Sequence, residues 1–360
     1  MHALRVALFL ATVPPLVTAC GDATHRAGTA SVRTSTRGAH GAASSLPPKR
    51  ARRPLVRWRG PVEHLFFHPL VADPARAFHG FDGRGFRDYF VTVIEFRRIL
   101  DQLYANGYEL VDIHAAVSGR LRVERGRKPL VLSVDDLNYY DYLRAAGPAW
   151  RLRLDAAGRV AVELRDPLGH HPRLSRTDEI VPLVDDFVTA HPAFSLGGAK
   201  GVIAETGYEG VFGERTNERS APDLRQRVAR ARRIAHALTS TGWTLASHSW
   251  GHLDLSRRST AAVLADAERW RRQVQPIVGA TDVYAYPFGA VPSVATRRAL
   301  HTRYGFRIFC SIDVVPGTIR ADGVVTMYRR HVDGLAFAGQ RRNLSPLFAV
   351  GRVIDEAARW

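Results

Sequence analysis

Apolar residues recur along this chain in two alternating patterns, short continuous runs and longer stretches with helical spacing. The clearest helix is predicted over residues 92–107. It begins with the capping-box spacing of Thr92 and Glu95, ends at Gly107, and carries an apolar face made of Phe96, Ile99, Leu100 and Leu103. Further helices are predicted over the run DEIVPLVDDFVTAHPAF and over residues 222–238, 259–277 and 291–304.

The continuous apolar runs between these helices predict buried strands. They include HLFFHPLV, KPLVLSVDD, GAKGVIAETGYEG, WTLASHSWGH, DVYAYPFG and GFRIFCSI. Residues 151–164 alternate apolar and polar side chains on either side of an Ala-Ala-Gly turn, which predicts an inserted β-hairpin. Because strands alternate with helices, the pattern predicts an α/β fold in which parallel strands are covered by helices. In such folds ligands bind at the carboxyl ends of the strands.

The beginning of the chain differs in composition from the rest. Residues 1–20 join Arg5 to an apolar stretch over 6–17 and end in LVTAC, which indicates an export signal whose Cys20 would be lipidated. An ordinary cleaved signal peptide is the alternative. Residues 21–55 are rich in small residues, proline and arginine and predict a flexible basic linker. The folded domain is then expected over 56–360.

The formal charge of +17 is concentrated at this end of the chain. Residues 1–57 contain nine Lys or Arg and one acid, Asp22, which is about half of the excess. A basic tether beside a lipid anchor suits an anionic membrane surface, and export argues against nucleic acid as a partner. Cys310 is the only cysteine besides Cys20 and lies in an apolar run, so no internal disulfide is expected.

Polar side chains follow three of the predicted strands, at the point where each strand ends. Asp135 and Asp136 follow LVLSV, His248 and His252 follow TLA, and the turn 287–289 follows VYAY. If these strands are parallel neighbours, the three groups meet at one rim. One carboxylate with two imidazoles is a common ligand set for a divalent metal, and a second carboxylate could take a proton from water there.

The segments SVDD, HSWGH and AYPFG, in this order, resemble three motifs of the polysaccharide deacetylase family with the NodB homology domain, carbohydrate esterase family 4. The resemblance spans about residues 130–330. It implies a distorted (β/α) barrel of the NodB type that binds a divalent ion, usually zinc and sometimes cobalt. It also implies removal of N-acetyl groups from peptidoglycan, chitin-like or exported polysaccharides, with O-acetyl groups removed in some members.

Carried over by position, the resemblance implies Asp136, His248 and His252 as metal ligands and Asp135 as general base. The backbone after the Pro287 turn, with Phe288 and Gly289, would face the oxyanion and the substrate. Trp250 would be either a packing residue or a sugar platform.

Two positions depart from the family pattern. Ala285 stands where the family has an arginine that orients the base, and Arg329 or Arg330 is the candidate replacement, with Arg330 also expected to contact the substrate. The late motif that supplies the general acid has no clean match, and His331 is the nearest candidate.

Each group also has a simpler interpretation. The aspartates could cap a helix, the histidines could belong to a surface loop, and Glu205 and Glu209 are expected to be solvated loop acids. Two other functions stay open: a glycoside hydrolase using Asp135 with Glu205, and a non-catalytic carbohydrate-binding lipoprotein. The favoured hypothesis is an exported deacetylase, an amide hydrolase lipid-anchored to the outer face of the cytoplasmic membrane and facing the cell wall, with an acetylated polysaccharide as its partner.

Overall fold

The computed structural model describes residues 53–360. The predicted signal peptide, its lipidation site Cys20 and nearly all of the predicted linker lie outside the described residues. Within 53–360, no helix combines the length and the apolar character that a bilayer crossing needs.

The strands are short and most are fully buried. In chain order they are β1 (Leu55–Arg57), β2 (Glu63–Phe67), β3 (Tyr108–Leu110), β4 (Arg122–Glu124), β5 (Lys128–Asp135), β6 (Ala149–Leu154), β7 (Val160–Leu164), β8 (Arg173–Ser175), β9 (Gly201–Glu205), β10 (Trp243–Ser247), β11 (Val283–Ala285), β12 (Ile308–Ile312), β13 (Thr318–Ala321) and β14 (Val324–His331).

Helices connect most of these strands. They are α1 (Pro74–His79), α2 (Gly83–Tyr89), α3 (Val93–Ala105), α4 (Ile113–Val117), α5 (Asp141–Ala146), α6 (Ile180–Ala190), α7 (Leu224–Ser240), α8 (Thr260–Gln273), α9 (Gln275–Val278), α10 (Val294–Tyr304), α11 (Gly334–Gly339), α12 (Arg341–Leu344), α13 (Val350–Val353) and α14 (Glu356–Arg359).

Seven parallel strands close into a barrel. Their order is β12-β11-β10-β9-β5-β2-β14, and β14 pairs with β12 to complete the circle. β3 adds to the side of β5 in parallel, and β13 pairs antiparallel with β14. The α/β barrel predicted from the sequence is therefore confirmed. Because all seven barrel strands run in the same direction, their carboxyl ends form a single rim.

Local sequence signals account for several elements directly. Thr92 and Glu95 form a complete capping box at the start of α3, as their spacing predicts. The predicted hairpin is also present, since β6 pairs antiparallel with β7, and β8 extends it to three strands. The helix predicted over 259–277 is divided at Val274 into α8 and α9, because Pro276 lacks the amide that would continue the first helix.

The barrel has a narrow interior and a thick outer layer. Alternate strand residues that face inward are small or of medium size, including Val131, Val202, Ala204, Ala246, Val283, Ala285, Cys310 and Met327. The outward-facing residues pack under the helices in separate clusters. Cys310 is a buried free thiol, in agreement with its apolar run. The interior is thus filled at mid-height, which leaves the carboxyl-end rim for polar chemistry.

Candidate metal centre and active site

Asp136, His248 and His252 meet at the carboxyl-end rim of the barrel. One ligand atom from each residue lies within 4.8 Å of the other two. The His252 Nε2 to Asp136 Oδ2 distance is 3.6 Å, and the His248 Nε2 to Asp136 Oδ1 distance is 3.9 Å. The strands that carry them, β5 and β10, both pair with β9, so their ends lie one strand apart. The structure therefore brings together residues separated by more than a hundred positions.

The backbone at these strand ends is unusual. Asp136 and His252 have φ values of 65° and 51°, and Ser249 between the histidines has 65°. Left-handed conformations cost side-chain-bearing residues about 1 kcal/mol or more each, so the surrounding contacts must hold them. Asp266 supplies one such restraint, because its two carboxylate oxygens accept the amides of Trp250 and Gly251, each at 2.7 Å. The chain is thus bent so that both imidazoles face Asp136.

The two histidines are arranged as neutral ligands. The Nδ1 atom of His248 donates a hydrogen bond to the carbonyl oxygen of Ala285 at 2.9 Å, which leaves Nε2 with a free lone pair toward Asp136. Burial lowers the pKa of His248 from its ordinary value and lowers that of His252 to about 4. Neutral imidazole is the form that coordinates metals.

Asp136 is a buried carboxylate that has no arginine or lysine as a partner within residues 53–360. Burial raises its pKa, and the positive charges that His248 and His68 can carry oppose that shift. Within residues 53–360 its ion-pair partners are the two histidines and not an arginine or lysine. The Tyr140 hydroxyl donates to Asp136 Oδ1 at 2.6 Å and is 2.8 Å from the Thr206 hydroxyl. Two neutral imidazoles around an uncompensated carboxylate fit a divalent cation.

Asp135 is in a different electrostatic environment from its neighbour. Its Oδ1 accepts from Arg329 Nη1 at 2.7 Å, and Arg329 is 1% exposed. Burial raises the pKa of Asp135, but the charge and hydrogen bond of Arg329 outweigh that effect and bring the pKa to about 2. Ser133 lies in the same buried layer, with its hydroxyl 3.3 Å from Arg329 Nη1. Asp135 is therefore ionised at any physiological pH.

Arg329, and not Arg330, reaches the aspartates. Successive residues of a strand point to opposite faces, so when Arg329 of β14 enters the barrel its neighbour must leave it. Arg330 packs outside the barrel, where its Nε lies 3.2 Å from Glu63 Oε2 and its Nη1 donates to the Asn343 carbonyl at 2.6 Å. The structure does not bring Arg330 to the rim as a substrate contact.

The turn 287–289 borders the mouth of the site. Phe288, with φ of 57° and 53% of its surface exposed, places its ring centroid 4.5 Å from that of His252. Pro287 is buried, and a Cβ on Gly289 would meet the Ile312 side chain at 2.8 Å, so the turn seats tightly on β12. This apolar turn lies beside the candidate metal ligands.

Trp250 packs beneath the rim. Its indole N–H donates to Gln273 Oε1 at 3.0 Å, and the Arg269 guanidinium lies 3.2 Å above the ring centroid. Both contacts hold the ring against α8, as expected if Trp250 is a packing residue and not a sugar platform.

Two further histidines belong to the rim, and the sequence pattern singled out only one of them. His331 ends β14, where its Nδ1 lies 3.7 Å from Asp333 Oδ2 and its Nε2 contacts the Gln340 amide. His68 follows the last residue of β2, the strand between β14 and β5. Because Phe67 pairs with Val134 of β5, His68 lies level with Asp135, and its Nδ1 is 3.2 Å from the Tyr89 carbonyl oxygen. Its position directly after the run HLFF is the signal that could have identified it.

Glu205 corrects an expectation from the sequence. It was expected to be a solvated loop acid, but it is fully buried at the end of β9 on the outer side of the barrel. Burial raises its pKa well above the ordinary value, and its Oε2 accepts the Phe212 amide at 3.2 Å. Glu209 is also engaged, because its Oε2 accepts the Asp141 amide at 2.7 Å and lies 3.1 Å from Arg215. A fully buried Glu205 cannot flank a sugar at the rim, so the structure does not form the pair of Asp135 with Glu205 that a glycoside hydrolase would need.

The fold and the rim together define an α/β barrel with a candidate cation site made of two histidines and one aspartate. Residues 223–308 match the family model described as polysaccharide deacetylase, a segment that contains both candidate histidine ligands and the turn 287–289. No curated protein sequence matches the chain.

Solved structures give distant similarities. A Streptococcus pyogenes deacetylase, PplD, in complex with acetate is 14% identical, with a TM-score of 0.45, over 78% of this chain and 94% of that one. The Bacillus anthracis protein BA0330, which carries a provisional description as a polysaccharide deacetylase, is 16% identical, with a TM-score of 0.42, over 77% of this chain and 65% of that one.

Proposed function

We propose that this protein is a metal-dependent hydrolase that removes acetyl groups from a polysaccharide. The observation that carries the proposal is the convergence of Asp136, His248 and His252 around one point, with the ionised Asp135 beside them. The family match over residues 223–308 supports the same reaction class.

A divalent ion, with zinc the best fit to this donor set and cobalt a second option, would be held by Asp136, His248 and His252 and would supply Lewis acidity to the acetyl carbonyl and to the attacking water. Asp135 accepts the proton of that water. Its Oδ1 is occupied by Arg329, so Oδ2, which lies 3.8 Å from His248 Nε2, is the atom that faces the site. The new bond joins the water oxygen to the carbonyl carbon, and the carbon–nitrogen bond breaks to release acetate.

The turn 287–289 supplies a hydrogen-bond donor for the developing oxyanion. The amides of Gly289 and Ala290 donate to the carbonyls of Tyr286 and Pro287, each at 3.0 Å. The Phe288 amide is therefore the one in this turn that remains for the substrate. Because its ring borders His252, Phe288 would also exclude water from one side of the site.

The leaving amine needs a proton, and the two rim histidines are the candidates. His68 is the better placed, because Phe67 of β2 pairs with Val134 of β5, which brings His68 level with Asp135 at the rim. His331 is held against Asp333 and Gln340. We infer that His68 protonates the amine and that His331 positions the loop around it.

The walls of the mouth suit a sugar polymer. Tyr140 stacks on Tyr208 with ring centroids 4.8 Å apart and on Tyr142 with centroids 5.8 Å apart. Tyr140 is buried between the other two rings, whereas Tyr142 is 42% exposed and is the ring that offers a flat apolar surface to a pyranose. Peptidoglycan, a chitin-like polymer or an exopolysaccharide, N-acetylated or O-acetylated, is the proposed substrate, and the export signal with a lipidated Cys20 remains the proposed route to it.

Acetate release from acetylated chitin oligomers and from peptidoglycan, measured together with bound metal, tests the proposal. Wild-type protein should release acetate, and chelation should abolish the release. Reducing ends without acetate would instead identify a glycoside hydrolase. Bound metal and bound oligosaccharide without any product would identify a non-catalytic binding protein.

A further inference from the structure

The end of the barrel opposite the candidate active site is covered by a basic surface. It is built around the β1–β4 pair, and we name it the basic cap. Its cationic residues are Arg53, Arg57, Arg59, Arg120, Arg122, Arg125, Arg127, Lys128 and Arg320. We propose that the basic cap docks on the surface of an anionic phospholipid bilayer, an inference that goes beyond the proposed hydrolase activity.

These cations form one continuous surface. Arg57 and Arg122 are directly paired across the two strands, and the Arg125 amide donates to the Pro54 carbonyl at 3.0 Å. The Arg320 side chain, from β13, donates to the Val117 carbonyl next to this sheet. All but the half-buried Arg127 are exposed.

The positive charge of the basic cap has no counterion among residues 53–360. Within residues 53–360 none of its nine cations takes part in an ion pair, and their side chains contact only carbonyl groups or aromatic rings. Arginines of α7 show the contrast, since Arg227 and Arg230 pair with Glu218 and Glu214 at 2.5 and 2.7 Å.

The acids near the basic cap are directed elsewhere. Glu109 accepts the Glu124 amide at 2.8 Å, and both residues are buried. Asp112 and Asp282 both contact His114, and these carboxylates raise its pKa to about 9, so His114 offsets one of their two negative charges. Most of the charge of the nine cap cations is therefore available to an external anionic partner.

Two features identify a bilayer as that partner. Residues 21–52, which precede the basic cap in the sequence, add six Lys or Arg against one acid. Leu55 and Ile319 lie among the cap cations and are 42% and 48% exposed. Cations with interspersed apolar residues suit the charged headgroups of a bilayer and the apolar boundary beneath them. Docked in this way, the candidate active site faces away from the bilayer.

Vesicle co-sedimentation of the full chain, carrying Cys20→Ala so that no acyl chain contributes, tests the proposal. The cap variant combines Arg59→Gln, Arg120→Gln and Arg125→Gln, whose side chains make no hydrogen bonds within residues 53–360. A matched control combines Arg225→Gln, Arg233→Gln and Arg258→Gln, three exposed arginines that also lack side-chain bonds there and remove the same charge. Unchanged circular dichroism confirms that each variant folds.

On vesicles containing phosphatidylglycerol, the cap variant should bind about tenfold or more weakly than wild type, and the control by less than about twofold. Binding should also fall at about 0.5 M salt and be absent on pure phosphatidylcholine. Equal losses in the two variants would overturn the proposal, because net charge alone would then explain binding. It would be overturned equally if the cap variant kept its vesicle affinity but lost binding to soluble polyphosphate, which would assign the surface to an anionic polymer.

Discussion

Arg329 and Asp135 form a buried ion pair across the interior of the barrel, with 2.7 Å between Nη1 and Oδ1. The pair joins β14 to the end of β5, although the two residues are 194 positions apart in sequence. This ion pair keeps the Asp135 carboxylate ionised and directs it away from the carboxylate of the adjacent Asp136. This division between Asp135 and Asp136 underlies most of the chemistry proposed for the site.

Replacing Arg329 should change how kcat/KM depends on pH at the acidic end. Without the guanidinium, burial dominates and the pKa of Asp135 rises from about 2, so the low-pH limb of kcat/KM should move upward by about one pH unit or more. The test variant is Arg329→Gln. Arg329→Lys keeps the positive charge and should restore part of the wild-type pH dependence. A profile unchanged in a folded Arg329→Gln protein would show that Asp135 is not the base.

Variants of the two adjacent aspartates should differ in how much metal they bind. Asp135→Asn should retain metal while kcat falls by about 10²–10⁴-fold, because the proton acceptor is lost and the ligand set is intact. Asp136→Asn and His248→Ala should lose metal, as measured by elemental analysis after gel filtration. Wild-type acetate release from Asp135→Asn would contradict the assignment of roles.

The Tyr140 hydroxyl should tune metal affinity. Tyr140→Phe removes the 2.6 Å hydrogen bond to Asp136 Oδ1, which should weaken metal binding about tenfold or more in a competition titration with a chelating dye. Tyr142→Phe is the matched control, since Tyr142 belongs to the same aromatic stack but does not bond Asp136. Equal affinities for the two variants would mean that the hydroxyl only packs.

The two rim histidines should differ in their effect on turnover. His68→Gln should lower kcat about 10²-fold with little change in bound metal, because the leaving amine loses its proton donor. His331→Gln should change kcat much less. The opposite result would return the general-acid role to His331.

Glu179 should make stability depend on pH. Burial raises its pKa from 4.5 to about 7, although the amides of Ile180 and Leu70 and the Tyr139 hydroxyl oppose the shift. Between these two values the folded state holds a proton that the unfolded state has released. The stabilisation is therefore complete below pH 4.5 and is lost as the pH rises to about 7.

The measurable quantity is the difference in unfolding free energy between wild type and Glu179→Gln. Wild type should lose up to about 3 kcal/mol relative to the variant as the pH rises through that window. Chemical denaturation at several pH values measures it. A constant difference would show that Glu179 titrates normally in the folded protein.

Much of the fold and part of the site follow from local pattern. The capping box and apolar face of α3, the alternation in β6 and β7, and the succession of strands and helices are properties of neighbouring residues, and the structure contains these elements. Asp135, Asp136, His248 and His252 could be singled out for the same reason, because each lies where an apolar run ends. Parallel strands place such ends on one rim whatever the order of the strands.

The features that depend on how the strands pair with one another were decided only by the tertiary structure. The choice between Arg329 and Arg330 rests on which of them points into the barrel, and that is set by the register of β14 against β12 and β2. The burial of Glu205, the approach of His68 to the carboxylates and the gathering of nine cations opposite the site also come from pairing and closure. A sequence pattern shows the periodicity of a helix or a strand. The direction of a side chain and the residues around it are set only when the barrel closes.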